Sequence, residues 1–378
     1  MKKLLFYKFL FVLLFGCGEY DELENSETEY VNFNFILNEN EINLSSNLNL
    51  SYFNDITIGV KENSDNYISL ITAQSNQTIE ISGTNLENLN NSNILITPPG
   101  DGDLPYANYI GVGQIIRSNN KMYGLYHGEW HDGTILPGGV PGFYASIGLV
   151  ESNDGKNFSI SSDPIIPNYI GKNQDNGAAD GGYGEPSMLY SKDSTELYVY
   201  YVDHNRDDRG VNICMGKFDV INNEPDFSKF DFLNENNKFT SDLIKTKEVV
   251  KGEFGKSDAT FPHVTYNKTL GIYIMVYNLN AFSNGNCNKT DSGIYITYSL
   301  DGINWVDPQK GVSYIGESKK LISECSIIFN SNNSFAWHPS LIYTNIEQTE
   351  GYLLYSFASN LQYPGHQLHG RKFNIEIF

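Results

Sequence analysis

Basic residues are scarce in this chain. Of its 378 residues, 25 are Lys or Arg and 45 are Asp or Glu, a formal net charge of −20. A protein that grips phosphate backbones needs a basic stripe; the few cations here are scattered, which argues against a nucleic-acid partner. Cysteine is rare, with four in all, and no spacing among Cys17, Cys214, Cys287 and Cys325 suits a zinc site. No long stretch carries a helical apolar period, so helix is expected to be sparse. No Gly-X-Ser-X-Gly elbow is present, which leaves Ser-His-Asp catalysis without support. What the chain does have is 26 Tyr, 22 Phe and 34 Gly, a composition suited to pleated, half-buried strands joined by tight turns. The length allows one large all-β domain or two ordinary ones.

An apolar run broken only by Lys8 follows Lys2 and Lys3 and covers residues 4–15. It is too short and wrongly flanked for a spanning helix, and reads as an export signal. It ends at Leu14-Phe15-Gly16-Cys17, which resembles a bacterial lipobox and implies that Cys17 is the lipidated first residue of the mature protein. The acidic run 19–27 that follows reads as a solvated tether and resembles the export tag of surface lipoproteins in the Bacteroidetes. The expected layout is a signal peptide over 1–17, a tether over 18–29 and one folded domain over 30–378. The protein is accordingly expected to be exported, lipid-anchored to the outer membrane, and monomeric. Exported proteins can keep disulfides; Cys287 and Cys325 are the expected pair, and Cys214, inside the alternating run 211–218, is an expected core residue.

From about residue 30 a pattern with a period of roughly 75 residues sets in, a signature of repeat architectures. Its copies begin at Tyr109-Ile110-Gly111, Glu185-Pro186-Ser187, Asp258-Ala259-Thr260 and Trp337-His338-Pro339. Each opens with a short apolar strand, turns at polar residues, and enters a tyrosine-rich second strand such as Leu197-Tyr198-Val199-Tyr200-Tyr201. The third strands are expected over 145–151, 211–218, 293–299 and 370–375. A weaker first copy reads as strands over 55–60, 67–73 and 78–82, with a turn at 63–66. Five copies account for a five-bladed β-propeller, and the strand-like segment 30–37 is placed to close the ring beside the C-terminal strand. Two turns, Ser152-Asn153-Asp154-Gly155-Lys156-Asn157-Phe158 and Ser299-Leu300-Asp301-Gly302-Ile303-Asn304-Trp305, share an Asp-Gly hairpin signal and are read as structural.

In such a blade the start of the first strand and the end of the second emerge on one face of the ring. Collecting the residues at those points gives Asp180, Glu185, Asp258, His263, Trp337 and His338, then His127, Glu129, Trp130, His131 and Asp132, then Asp203, His204, Arg206, Asn278 and Asn280. Carboxylates, imidazoles, amides and indoles converging on one funnel suit a sugar: carboxylates for acid and base work, Trp faces for stacking, Asn and Arg for hydroxyls.

Here the chain resembles the five-bladed β-propeller glycoside hydrolases of the arabinanase, β-xylosidase and invertase group, in which three carboxylates on successive blades share the chemistry. Gly184-Glu185-Pro186 is similar to the position of the general acid. The group's first-blade Asp has Asp55 as its nearest match by position, in a context unlike the family's. Glu129, Asp203 and Asp258 are the expected suppliers of base and tuning roles, in an order the sequence leaves open. The resemblance implies that His127, Trp130, His131, Asp180, Arg206, His263, Trp337 and His338 shape the subsites. It also implies that His338 could stand beside a calcium or similar ion near the axis; no cofactor is otherwise required.

The expected function is glycoside hydrolysis on a plant or algal polysaccharide or its oligosaccharides. Three alternatives stay open: a non-catalytic glycan-binding propeller, a sialidase, and a polysaccharide lyase using His127, His131 or Tyr126 as base. The sialidase would draw its carboxylate-binding arginines from Arg117, Arg206, Arg209 and Arg371, whose positions suit it poorly.

Overall fold

The tyrosine-rich runs become the middle strands of antiparallel sheets. Lys121–Ile135, Glu196–Asp203, Ile272–Ser283 and Glu350–Ala358 each lie between a first strand (Tyr109–Ser118, Asp180–Tyr190, Ser257–Asn267, Phe335–Tyr343) and a third (Pro141–Ser152, Asn212–Ile221, Gly293–Ser299, Gln367–Ile377). These are blades two to five of a five-bladed β-propeller. The computed structural model describes residues 32–48, 50, 56–100, 104–135, 141–166, 180–204, 210–241, 246–253, 256–283, 286–288, 290–306, 319–324, 334–358 and 366–378. The expected signal peptide, Cys17 and the acidic tether lie outside them, as do Asp55, Arg206 and Cys325. Cys287 is disulfide-bonded, whereas Cys214 is a buried thiol.

The first blade departs from expectation at its edges. Its inner strand is Gly59–Ser64, later than the expected 55–60, and it has a fourth strand, Leu89–Ile96, beyond Tyr67–Gln74 and Gln77–Gly83. That fourth strand escapes a pattern search because it is mostly polar and its residues 90–94 are exposed. Ring closure follows expectation: Phe33–Asn43 pairs antiparallel with Gln367–Ile377, with Phe33 opposite Ile377 and Asn43 opposite His369.

Alternation along each middle strand sends side chains to both neighbouring blades. In the third blade Val199 and Tyr201 pack with Leu125 and Ile147 of the second, while Tyr200 and Val202 pack with Val264 and Met275 of the fourth. Equivalent cores join blades one and two through Ile71, Ile110 and Tyr126, four and five through Ile274, Ile296 and Leu353, and five and one through Leu70, Ile81 and Leu354. A one-residue slip in any middle strand would exchange both faces at once, so this pattern fixes register strongly. The Asp-Gly turns are structural: Asp154 Oδ1 accepts the N–H groups of Lys156 and Asn157, and Asp301 Oδ1 those of Ile303 and Asn304.

Near the axis the first strands of blades two to five each carry a bulge at the same register, after Val112, Gly184, Thr260 and Trp337. The leading bulge residues are Gly113, Glu185, Phe261 and His338. The last three have φ of 54°, 56° and 50°, and each precedes a proline. Left-handed backbone costs a side-chain-bearing residue roughly 1–2 kcal/mol, so packing must hold each one there. Two residues further on, polar side chains stitch the blades together. Ser187 Oγ donates to Gln114 Oε1 (2.5 Å) and accepts the Val264 N–H (2.8 Å), while Gln114 Nε2 donates to the Val264 carbonyl (2.9 Å). His263 accepts the Leu341 N–H at Nδ1 (3.3 Å), leaving Nε2 to donate to the Ile58 carbonyl (3.2 Å). Ser340 Oγ accepts the Ile58 N–H (2.8 Å).

Candidate active site

The site is built where the second and third blades join. The leading end of the strand Asp180–Tyr190 first runs parallel to the second blade, Asp180 opposite Phe143 and Gly182 opposite Ala145, before entering its own sheet at Tyr183. Gly182 makes the crossing with φ 91°, a conformation glycine adopts without steric cost. This brings Glu185 beside the end of the strand Lys121–Ile135, where His127, Glu129 and His131 share one face by two-residue alternation.

Glu129 lies between the two imidazoles. His127 Nε2 stands 3.1 Å from Oε1 and His131 Nε2 2.7 Å from Oε2. Burial pushes the Glu129 carboxyl upward, but the hydrogen bonds from His127 and His131 outweigh it and hold the group down at about 2. Glu129 is therefore an anion at neutral pH. The other nitrogen of His127, Nδ1, accepts the backbone N–H of Glu185 at 3.0 Å. One imidazole thus joins the two glutamates. The carboxylate of Glu185 reaches the fourth blade, where Oε2 accepts the Phe261 N–H (3.2 Å), and Oε1 lies 3.7 Å from His204 Nε2. Glu185, His127 and His204 are all at least nine-tenths buried.

The structure places the other expected residues variously. Asp203 is buried and lies two residues beyond Tyr201, on the face turned to the second blade. Asp258 is partly buried, opposite Asn280 in register. Trp130 alternates with Glu129 and so points to the other face of its strand, with its ring 5.7 Å from Tyr144; it does not join the His-Glu-His row. His263 is 2% exposed with both ring nitrogens committed to neighbouring blades, a fastening between blades where a subsite residue was expected. Its burial holds the imidazole down at about 4. For Asp180 the described part is the backbone.

His338 and Trp337 lie in an aromatic wall. The His338 ring is 4.0 Å from Phe261 and 5.6 Å from Trp337, and Trp337 is 4.8 Å from His366. Burial first, and nearby His338 second, hold His366 down at about 4. Calcium takes six to eight oxygen ligands, and the described surroundings of His338 offer rings. Among the described residues no group of three or more His, Cys, Asp or Glu is arranged to hold a metal ion. The donor set among the described residues therefore does not fit the expected ion.

Sequence reasoning missed Phe261 and the need for Gly184. A signal existed for the first: Glu185-Pro186, Phe261-Pro262 and His338-Pro339 recur at nearly equal spacing, marking one position in three repeats. Gly184 is required by contact, because a Cβ there would lie 2.4 Å from His127 Nδ1 and 3.1 Å from His204 Nε2.

No protein-family model and no curated protein matches the sequence. Solved structures match in fold. The protein of a BT0996–RGII complex aligns with a TM-score of 0.56 at 12% identity, covering 90% of this chain and 92% of that one. An exo-1,5-α-L-arabinanase from a bovine ruminal metagenomic library gives 0.53 at 11% identity, over 86% and 94%. An endo-arabinase from Bacteroides thetaiotaomicron VPI-5482 gives 0.50 at 10%, over 89% and 97%. At these identities the likeness is one of architecture, the five-bladed β-propeller of arabinanase-type proteins.

Proposed function

We propose that the protein is a glycoside hydrolase acting on a plant or algal polysaccharide or its oligosaccharides, with Glu185 as general acid. The observation that carries this is the pairing of Glu185 with a second glutamate through one imidazole, at the axial end of a propeller whose fold-mates include proteins named as arabinanases. A glycosidic oxygen leaves readily when protonated, and burial of a carboxyl group favours the form that carries the proton; Glu185 is buried. Glu129 is the neighbouring carboxylate, linked through His127 to the Glu185 backbone. Both of its oxygens are occupied by imidazoles, which suits a fixed tuning anion better than a base. Asp203 and Asp258 complete the carboxylate set, one of them either taking the proton of the attacking water or itself attacking the anomeric carbon as the glycosidic bond breaks.

In this reading the protein is exported, held at the outer membrane by lipidated Cys17, and acts as a monomer; a Cys17→Ser chain should leave the membrane fraction. A non-catalytic glycan-binding propeller is the second reading. It is favoured by one observation: the bulge positions of the second and fourth blades hold Gly113 and Phe261, without a carboxylate.

Incubating the chain lacking residues 1–17, and its Glu185→Gln variant, with a panel of plant and algal glycans separates the readings. Saturated sugars released by the first and not the second support hydrolysis. Binding without release supports the glycan-binding protein, and unsaturated products support a lyase.

A further inference from the structure

We propose that His127 is a positioning residue: it holds the backbone of Glu185 in its left-handed conformation and does not itself touch substrate. This rests on the hydrolase reading for its catalytic consequence, but its structural content stands apart from it.

Hydrogen-bond polarity sets the state of the His127 ring. A backbone N–H can only donate, so the Glu185 N–H at 3.0 Å requires an unprotonated Nδ1 on His127. Nε2 then carries the ring's single proton and donates it to Glu129 Oε1 at 3.1 Å. The ring is thereby fixed as the neutral Nε2–H tautomer. Both nitrogens are spent on protein groups, and the residue is 4% exposed, so it has neither a free polar atom nor a surface to offer a sugar.

What it does offer is a restraint. Glu185 sits at φ 54° just before Pro186, where a side chain is strained. The Glu185 N–H cannot bond to the middle strand, because the bulge removes it from the ladder between Gly184 and Ser187. His127 supplies the missing acceptor, and the bare Cα of Gly184 leaves room for it. On its far side Glu185 is held by the Phe261 N–H. The general acid is thus fixed by its backbone from one blade and by its carboxylate from another. Around the His127 ring stand Glu129 and His131 from its own strand, Tyr109 and Phe143 from the strands beside it, and Glu185 and His204 from the third blade.

Two substitutions separate the functions of the ring. In H127N the amide oxygen falls where Nδ1 was and can still accept the Glu185 N–H. In H127Q the amide nitrogen falls where Nε2 was and can still donate to Glu129. If His127 acts by positioning Glu185, H127Q should lower kcat by about 100-fold, the scale of a displaced catalytic group, with KM little changed. H127N should lose about ten-fold less, and the acidic limb of its kcat/KM profile should move upward because Glu129 loses a donor. Equal losses in both variants, or a rise in KM alone, would overturn the proposal, the latter by marking His127 as a substrate contact.

The structural arm needs no activity. NMR of the histidine nitrogens in the wild-type protein near neutral pH should show the neutral Nε2–H tautomer for His127; an Nδ1–H tautomer or a cation would overturn the proposal. Crystal structures should keep Glu185 left-handed in H127N and relax it in H127Q, and an unchanged Glu185 in both would again overturn it. If the wild-type protein releases no sugar from any glycan, the hydrolase reading falls, and this second arm alone decides the role of His127.

Discussion

At the axial bulges Gly113, Glu185, Phe261 and His338 occupy one register position in successive blades, yet they share no chemistry. A short step along the same strands, Gln114, Ser187, His263 and Ser340 differ in type but do one job, hydrogen-bonding one blade to the next. The first ring has diversified, and three of its members sit in strained backbone. The second is constrained to satisfy buried polar groups and is free of positive φ at those four residues. A repeat fold can vary its members most at the position that faces the shared axis, provided the neighbouring position keeps the blades in place.

That contrast can be broken from either side. The largest expected effect is at the bulge: Glu185→Gln should reduce kcat by roughly a thousand-fold, within the range of a lost general acid, while the urea midpoint stays near that of the wild type. His263→Ala should do the reverse. It strands the Leu341 N–H and the Ile58 carbonyl and should cost about 3 kcal/mol in denaturant unfolding, with turnover of the surviving folded protein little altered. Gly184→Ala probes the seam between the two roles. Its Cβ would meet His127 Nδ1 at 2.4 Å, so overpacking should cost about 1–3 kcal/mol and lower kcat as well, read by the same two assays.

The smallest expected effect lies in the pH dependence of stability. His263 has its pKa lowered from 6.5 to about 4 in the fold, so the unfolded chain takes up its proton first as the pH falls. Its contribution to stability is complete above 6.5 and is lost as the pH drops to about 4. Glu129 is lowered from 4.5 to about 2, so its contribution is complete above 4.5 and is lost only in that more acidic window. Unfolding free energies measured against pH should therefore flatten between 6.5 and 4 in His263→Ala and between 4.5 and 2 in Glu129→Gln. The same window flattening in both variants would mean that the site glutamate and the blade-fastening histidine are not electrostatically separate.

The blades were legible because alternation is a strong local signal: the third strand of the fourth blade falls at Gly293–Ser299, where the sequence places it, and the closing strand pairs as expected. The polar strand Leu89–Ile96 was not legible, since an exposed edge strand has no apolar face to announce it. For the site, sequence could place His127, Glu129 and Glu185 at one end of the ring, because blade topology brings those strand ends together. It could not give the tautomer of His127 or the backbone role of Gly184, which depend on a parallel crossing between two blades. Nor could it distinguish His263 from the others. A histidine at the start of a first strand looks the same in sequence whether it faces the axis or the next blade, and the bulge decides which.

The closing strand has a consequence for how the molecule is made. Phe33–Asn43 finds its partner at Gln367–Ile377, with Asn43 bonded to Gln367 across 324 positions of sequence. A chain emerging from its N-terminus therefore carries an unmatched strand edge until Gln367–Ile377 is available. Closing so long a loop adds little to the equilibrium cost, since each doubling of length adds only about 0.6 kcal/mol, but non-local pairing slows folding. The ring cannot close before that strand is in place, and a chain lacking Gln367–Ile377 would leave both sides of the closing seam with open edges, prone to pair with other molecules.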